Sequence, residues 1–273
     1  MKIILSILWA TLFCGSISAV ASAKNSAVKV VGKAPFEEKA IEYGVRDKFD
    51  GFVISPKHLK KSAPGIVLVH NWMGVSDETK KQARRFAQLG YVVFLADIYG
   101  QGIRPKDPKE AGALATKYKT NRQLFRERLN DALTELKKQK NVNVEKLAVA
   151  GYCFGGTGAI ELARSGAPVL GSISFHGGLD SPAPSDGKNI KGKILALHGA
   201  IDPYVPAAEL TAFEDEMKNS QVDYQLIKYG GAVHSFTDMG AGTDITKGAA
   251  YNALSDERSF LAARQFLNEI FAQ

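Results

Sequence analysis

Cys153 sits in Gly151-Tyr152-Cys153-Phe154-Gly155-Gly156, directly after the apolar run Lys146-Leu147-Ala148-Val149-Ala150 and ahead of a helical pattern that opens near Thr157. A glycine, x, nucleophile, x, glycine pentapeptide at a strand-to-helix junction is a nucleophile elbow, a turn so tight that only glycine fits beside the reactive residue. The nucleophile here is a thiol, and the chain has no Gly-x-Ser-x-Gly that would offer a hydroxyl in its place. A thiol reacts as its thiolate. The chemistry implied is attack on an electrophilic carbon, with a base to hold the proton and donors to meet the charge that develops.

Two further residues stand where such partners belong. The apolar run at 194–198 is followed by Gly199-Ala200-Ile201-Asp202-Pro203, and the run at 223–229 by Gly230-Gly231-Ala232-Val233-His234-Ser235-Phe236. Cys153, Asp202 and His234 thus follow the nucleophile, acid, histidine order of α/β-hydrolases. On this reading His234 takes the thiol proton and returns it to the leaving group, while Asp202 fixes the imidazole tautomer. The oxyanion is expected to meet the backbone N–H groups of Phe154 and Trp72. Taken singly, Asp202 would only shape a turn before Pro203 and His234 would be a loop histidine; the elbow and the shared order favour the triad.

Holding these residues at one edge requires strands and helices in alternation. Strand patterns fall at 40–45, 51–55, 65–70, 91–96, 146–150, 170–175, 194–198 and 223–229, and helical patterns at 77–89, 108–118, 121–139, 157–165, 207–219 and 249–271. The alternation predicts an α/β fold with a mostly parallel central sheet covered on both faces. The first strands have no helix between them and predict an antiparallel N-terminal edge. The Gly-, Pro- and Ser-rich stretch 176–192 reads as a surface loop. Residues 36–273 are expected to form a single domain, and ligands in such sheets bind at the carboxyl ends of the strands.

The N-terminus reads as a targeting segment. Met1-Lys2 is cationic, residues 3–13 are apolar, and Ala21-Ser22-Ala23 supplies small residues for cleavage. Residues 1–23 are therefore expected to be a signal peptide, with a polar leader at 24–35, an exported mature chain in the periplasm or medium, and no membrane span in it. Cleavage would remove Cys14 and leave Cys153 as a lone thiol in an oxidising compartment, where no intramolecular disulfide can form. The 35 basic and 28 acidic residues give a net charge of +7. Acidic residues interleave the densest basic stretch, 106–140, so no nucleic-acid partner is expected. Gly156-Thr157-Gly158 lacks the continuation of a dinucleotide or phosphate loop.

Taken together, His70-Asn71-Trp72-Met73-Gly74, Ala96-Asp97-Ile98-Tyr99-Gly100, the Cys153 elbow, Phe175-His176-Gly177-Gly178, His198 to Pro203 and Val233-His234-Ser235-Phe236 resemble the dienelactone hydrolase family. The resemblance implies an α/β-hydrolase fold, no cofactor, and hydrolysis of a small ester or lactone, or of a thioester, through an acyl-cysteine. Two departures stand out. Members commonly carry glutamate after the histidine, where this chain has Asn71, so control of the thiol proton is expected to differ there. In dienelactone hydrolase itself arginines hold the substrate carboxylate, one shortly after the catalytic histidine; here Asp238 lies in that stretch, which argues against dienelactone as the substrate. Arg104, in the 99–108 loop, is the candidate for an anion contact.

His70, His176 and His198 all end strands and could be imagined with Cys153 as a metal site. Their neighbours suit structural hydrogen bonds better, and no metal is expected. His58 reads as a loop residue. The expected partner is a small-molecule ester or lactone, and the expected state a monomer or small homo-oligomer. The alternative from another class is an exported binding or redox-sensing protein that uses Cys153 as an oxidisable thiol and turns nothing over.

Overall fold

The computed structural model describes residues 36–57, 59 and 61–272. The expected signal peptide, the polar leader, Cys14 and His58 lie outside the described residues. The sheet has eight strands, β1 (Phe36–Tyr43), β2 (Phe49–Pro56), β3 (Ala63–Val69), β4 (Val92–Ala96), β5 (Val142–Tyr152), β6 (Gly171–Phe175), β7 (Lys193–Gly199) and β8 (Tyr224–Tyr229), in the order β1-β2-β4-β3-β5-β6-β7-β8. β1 and β2 pair antiparallel with their neighbours, and β4 through β8 run parallel. The helices are α1 (Asp77–Ala87), α2 (Pro108–Thr120), α3 (Arg122–Lys138), α4 (Phe154–Arg164), α5 (Ala207–Asn219) and α6 (Ala253–Ala272).

Successive strand residues point to opposite faces, and the central strands are apolar on both. Along β3, Ile66 and Leu68 join Phe86 of α1 and Phe266 and Leu267 of α6 in one core. Val67 and Val69 join Phe125, Leu129 and Leu133 of α3 and Ala159 and Leu162 of α4 in the other. Phe213 and Met217 of α5 close a third cluster over Ile194 and Ala196 of β7. Helix starts follow local chemistry: the Ser76 hydroxyl accepts from Thr79 N–H in a capping box, Asp107 caps α2 ahead of Pro108, and the Asn121 side chain accepts from Leu124 N–H to start α3. Among the described residues, no helix is long and apolar enough to cross a membrane.

Several boundaries depart from the sequence pattern, among them the start of β5 at Val142. β1 starts at Phe36 because the polar Phe36-Glu37-Glu38-Lys39 segment is an exposed edge strand, paired along its length with β2. α4 starts directly after Cys153 and takes Gly155 and Gly156 into its first turn. Residues 249–250 are extended, and they pair with His234 before α6 begins. The 176–192 loop contains a 3-10 turn, Pro184–Asn189.

A buried ion network ties α3, α4 and α5 to this loop. Arg164 is fully buried and donates to Glu216 Oε1 (3.0 Å) and Oε2 (2.6 Å), to Glu161 Oε1 (2.8 Å), and to the carbonyls of Leu179 and Asp180 (2.9 Å each). Arg164→Leu would strand the buried Glu216 carboxylate, while Glu161 keeps its bond from Arg126 of α3 (2.8 Å), and is expected to cost about 3–5 kcal/mol. Urea unfolding measures it, and a cost under about 1 kcal/mol would mean that the network adds nothing to stability.

Candidate active site

The elbow is built by steric exclusion. A Cβ on Gly151 would sit on the Gly155 carbonyl, and one on Gly155 would sit on the carbonyls of Val69 and His70. Only glycine lets α4 pack against the ends of β3 and β5. Cys153 itself is held at φ 56°, ψ −117°, a strained conformation for a residue with a side chain. Its N–H is fixed to Phe175 O (3.0 Å), and its own carbonyl accepts from Gly156 N–H (2.9 Å) and Thr157 N–H (3.2 Å). The thiol is thereby raised above the sheet at the head of α4.

His234 Nε2 lies 3.1 Å from Cys153 Sγ, and His234 Nδ1 lies 2.8 Å from Asp202 Oδ2. The other Asp202 oxygen, Oδ1, accepts from Tyr204 N–H at 2.8 Å, so the carboxylate both shapes the turn and orients the imidazole. The backbone of His234 is fixed on both sides, its N–H to Gly248 O (3.1 Å) and its carbonyl to Ala250 N–H (3.0 Å). Burial opposes charge on both reacting groups, yet their mutual attraction prevails. The thiol is pulled below its ordinary value by the facing imidazolium, the hydrogen bonds from His234 and Phe154 N–H, and the Lys119 charge. The imidazole is raised to about 10 by the thiolate and Asp202. Both shifts favour the thiolate and imidazolium forms of the pair.

A cavity of about 170 Å³ opens over this pair, lined by Trp72, Ala115, Lys119, Cys153, Phe154, Thr157, Gly178, Tyr204, Val205 and His234. Most of its wall is carbon. The polar exceptions away from the triad are Lys119 Nζ and Thr157 Oγ1, which together with Asp180 Oδ1 surround the position that a Cβ on Gly178 would take; Thr157 Oγ1 is buried and has no hydrogen-bond partner among the described residues. The Trp72 N–H likewise has no acceptor among the described residues, and its carbonyl is taken by Tyr99 O–H at 2.8 Å. The Tyr204 ring stands edge-on to His234 with centroids 5.4 Å apart.

Two expectations are corrected by the geometry. Arg104 does not line this cavity: its guanidinium is engaged with buried Asp97 (3.3 Å) and the carbonyls of Gly100 (3.2 Å) and Ile103 (2.7 Å), and the cation at the cavity is Lys119. Asn71 does not reach the thiol: its side-chain oxygen accepts from Met73 N–H (2.9 Å) in a local turn. Lys119 was hidden in a run of helix charges, and Thr157 and Tyr204 are readable only as neighbours of Cys153 and Asp202. Asp238 caps a short 3-10 turn through Gly240 N–H, away from the cavity lining.

The remaining strand-end histidines have separate settings. His70 is bonded to Asn71 O and Ile98 N–H, and His176 Nε2 meets Thr237 Oγ1 at 2.8 Å. His198 is buried and its Nδ1 has no partner among the described residues. Desolvation pushes all three below the usual imidazole value, so they are neutral. Among the described residues, no group of three or more His, Cys, Asp or Glu side chains could hold a metal ion.

An eight-stranded, mostly parallel sheet with an elbow at the end of a central strand and loops converging from β7 and β8 defines an α/β-hydrolase. The dienelactone hydrolase family model matches residues 49–271. The chain belongs to that family, and it is a carboxylic-ester hydrolase. Among solved structures, m3DLH is 35% identical with a TM-score of 0.83, covering 86% of this chain and 98% of its own. The dienelactone hydrolase-like promiscuous phosphotriesterase P91 from metagenomic libraries is 33% identical with a TM-score of 0.81 over the same shares. A Bradyrhizobium protein named as a probable 2-oxo-3-(5-oxofuran-2-ylidene)propanoate lactonase is 27% identical over 183 residues, 63% of this chain and 73% of the relative.

Proposed function

We propose that the protein is an exported hydrolase of small esters or lactones, working through a Cys153, His234, Asp202 triad and an acyl-cysteine. The observation that carries this reading is the hydrogen-bonded line from Asp202 through His234 to a thiol set on the strained elbow beneath a small cavity. The thiolate attacks the acyl carbon and the carbonyl π electrons move to oxygen, where Phe154 N–H and Trp72 N–H would receive the charge. The oxyanion collapses, the C–O bond to the alcohol breaks, and imidazolium gives its proton to the departing oxygen. A water then loses its proton to neutral His234 and attacks the thioester carbon. Collapse of this second intermediate releases the acid and restores the thiolate and imidazolium pair.

The cavity holds about 170 Å³, room for only a few heavy atoms around the reacting carbon beyond what projects to solvent. Lys119 Nζ and the unpartnered Thr157 Oγ1 give one corner the character to meet an anionic or strongly accepting substituent. The Bradyrhizobium relative's name describes such a substrate, a lactone bearing a propanoate. The exported location rests on the sequence of residues 1–23. The test is a panel of aryl esters and lactones, each with and without a carboxylate on the acyl group, supplied to purified mature protein. Turnover is expected on short esters, and Lys119→Met is expected to raise KM for carboxylated members about fivefold to twentyfold, with little effect on neutral ones. Equal effects on both would remove Lys119 from substrate binding, and a panel with no turnover would favour the binding or redox-sensing alternative.

The pH profile follows from the shifts. The thiol is lowered, so thiolate persists below the ordinary thiol range and is lost only as pH falls through the depressed value. The imidazole is raised, so imidazolium persists until pH passes about 10. The acid limb of acylation is therefore expected below the ordinary thiol range, and the rate is expected to fall above about pH 10, where the leaving group loses its proton donor. Stopped-flow acylation across pH checks this, and an alkaline fall already near pH 7 would contradict the ion pair.

A further inference from the structure

The Asn71-Trp72 peptide carries the N–H that the proposed mechanism uses as its second oxyanion donor, and the described loop holds that peptide from behind. Its carbonyl, Asn71 O, lies 2.6 Å from His70 Nδ1 and also accepts from Gly74 N–H at 3.1 Å. The opposite ring nitrogen, His70 Nε2, accepts from Ile98 N–H at 3.1 Å, which forces the ring proton onto Nδ1. His70 is fully buried, edge-on to Tyr99 (centroids 4.7 Å apart) and stacked on Phe154 (5.7 Å), the residue that carries the other oxyanion donor. The next peptide is held at both ends as well, the Trp72 carbonyl by Tyr99 O–H and the Met73 N–H by Asn71 Oδ1.

We propose that His70 is the positioning residue of the oxyanion hole, a neutral imidazole protonated on Nδ1 that clamps the Asn71 carbonyl and so keeps the Trp72 N–H aimed at the reacting carbonyl. The inference rests on the proposed role of Trp72. Without the clamp, the Asn71-Trp72 peptide can rotate its N–H out of the cavity, because Asn71 O keeps only the weaker Gly74 bond. With it, the donor is fixed before substrate arrives, which is the condition for strong transition-state stabilisation. A bond to Asn71 O also polarises the same peptide and strengthens its N–H as a donor.

The two amides separate the functions of the ring nitrogens. His70→Asn offers an N–H near the Nδ1 position and can donate to Asn71 O; His70→Gln reaches the Nε2 position and can accept from Ile98 N–H but leaves Asn71 O unclamped. Two rates are measured on each: acylation by an aryl ester, which develops an oxyanion, and alkylation of Cys153 by iodoacetamide, which needs the thiolate and develops none. Acylation by His70→Gln is expected to fall about 100-fold with KM little changed and alkylation within about twofold of wild type, and His70→Asn is expected to recover at least about tenfold of the loss. Parallel loss of both rates would overturn the proposal, since His70 would then support the site as a whole. Unchanged acylation, or Asn no better than Gln, would overturn it too. Failure of the underlying reading has a different signature: hydrolysis surviving in Cys153→Ala, whatever His70 does.

Discussion

Cys153→Ala is expected to lower hydrolysis of an activated aryl ester by roughly 10⁴- to 10⁶-fold, because every covalent step of the proposed cycle passes through Sγ. Among the described residues Cys153 is the one free cysteine, and the cavity it faces is also lined by His234, Thr157 and Lys119. Thr157 Oγ1 sits one turn into α4 with no base bonded to it, so it is not expected to take over. The variant should fold, since alanine removes one part-exposed sulfur and meets the same φ of 56°. Cys153→Ser should remain far below wild type, since the His234 and Asp202 arrangement favours an anion that an alcohol does not form at neutral pH. Steady-state rates with a melting curve check both variants. Activity within tenfold of wild type in the alanine variant would show that turnover does not need the thiol.

His234→Ala is expected to cost about 10⁴-fold, near the upper end of general acid–base catalysis, because one side chain serves two purposes. It supplies the proton for the leaving group, and it is the largest favourable influence on the thiolate. Removing it should therefore let the Cys153 thiol rise, since burial, the largest influence of all, then has weaker opposition. The two effects can be read separately. Iodoacetamide alkylation against pH follows the thiolate and should shift its midpoint upward, whereas hydrolysis should fall even at a pH where thiolate is restored. An unshifted alkylation midpoint would mean that the helix and Phe154 N–H hold the anion without the imidazole.

The parts of the fold legible in the sequence were those where one local signal sufficed. Central strands such as Val92–Ala96 are apolar on both faces and could be read as buried runs. The parallel order followed from helices placed between them. Phe36–Tyr43 extends further than its pattern because an edge strand needs no apolar face. Residues 249–250 were placed in the last helix because their extended state depends on the distant backbone of His234. The candidate triad was legible because each member follows its own strand end in a fixed order. Its surroundings were not, because they depend on contacts across the fold. Nothing local tells that Arg104 turns to Asp97, 7 residues away. Nor does it tell that Lys119, at the end of α2, reaches over Gly178. Asn71 was read from the family pattern as a place where control of the thiol proton differs, and its turn onto Met73 N–H gives the position a loop-building role. His70 was read as a structural strand-end residue, and both its ring bonds agree; what the sequence could not give was that one of them falls on the carbonyl behind the Trp72 N–H.

The central claim is that acyl groups pass through Cys153. Mixing the mature protein with an activated ester whose acyl-enzyme turns over slowly, quenching in acid and measuring intact and peptide masses tests it most directly. The expected result is a mass increase equal to the acyl group, confined to the peptide containing Cys153, formed at the rate of the alcohol burst and decaying at the steady-state rate. Burst release of alcohol with the acyl group on another residue, or full turnover with no adduct at any time, would contradict the account.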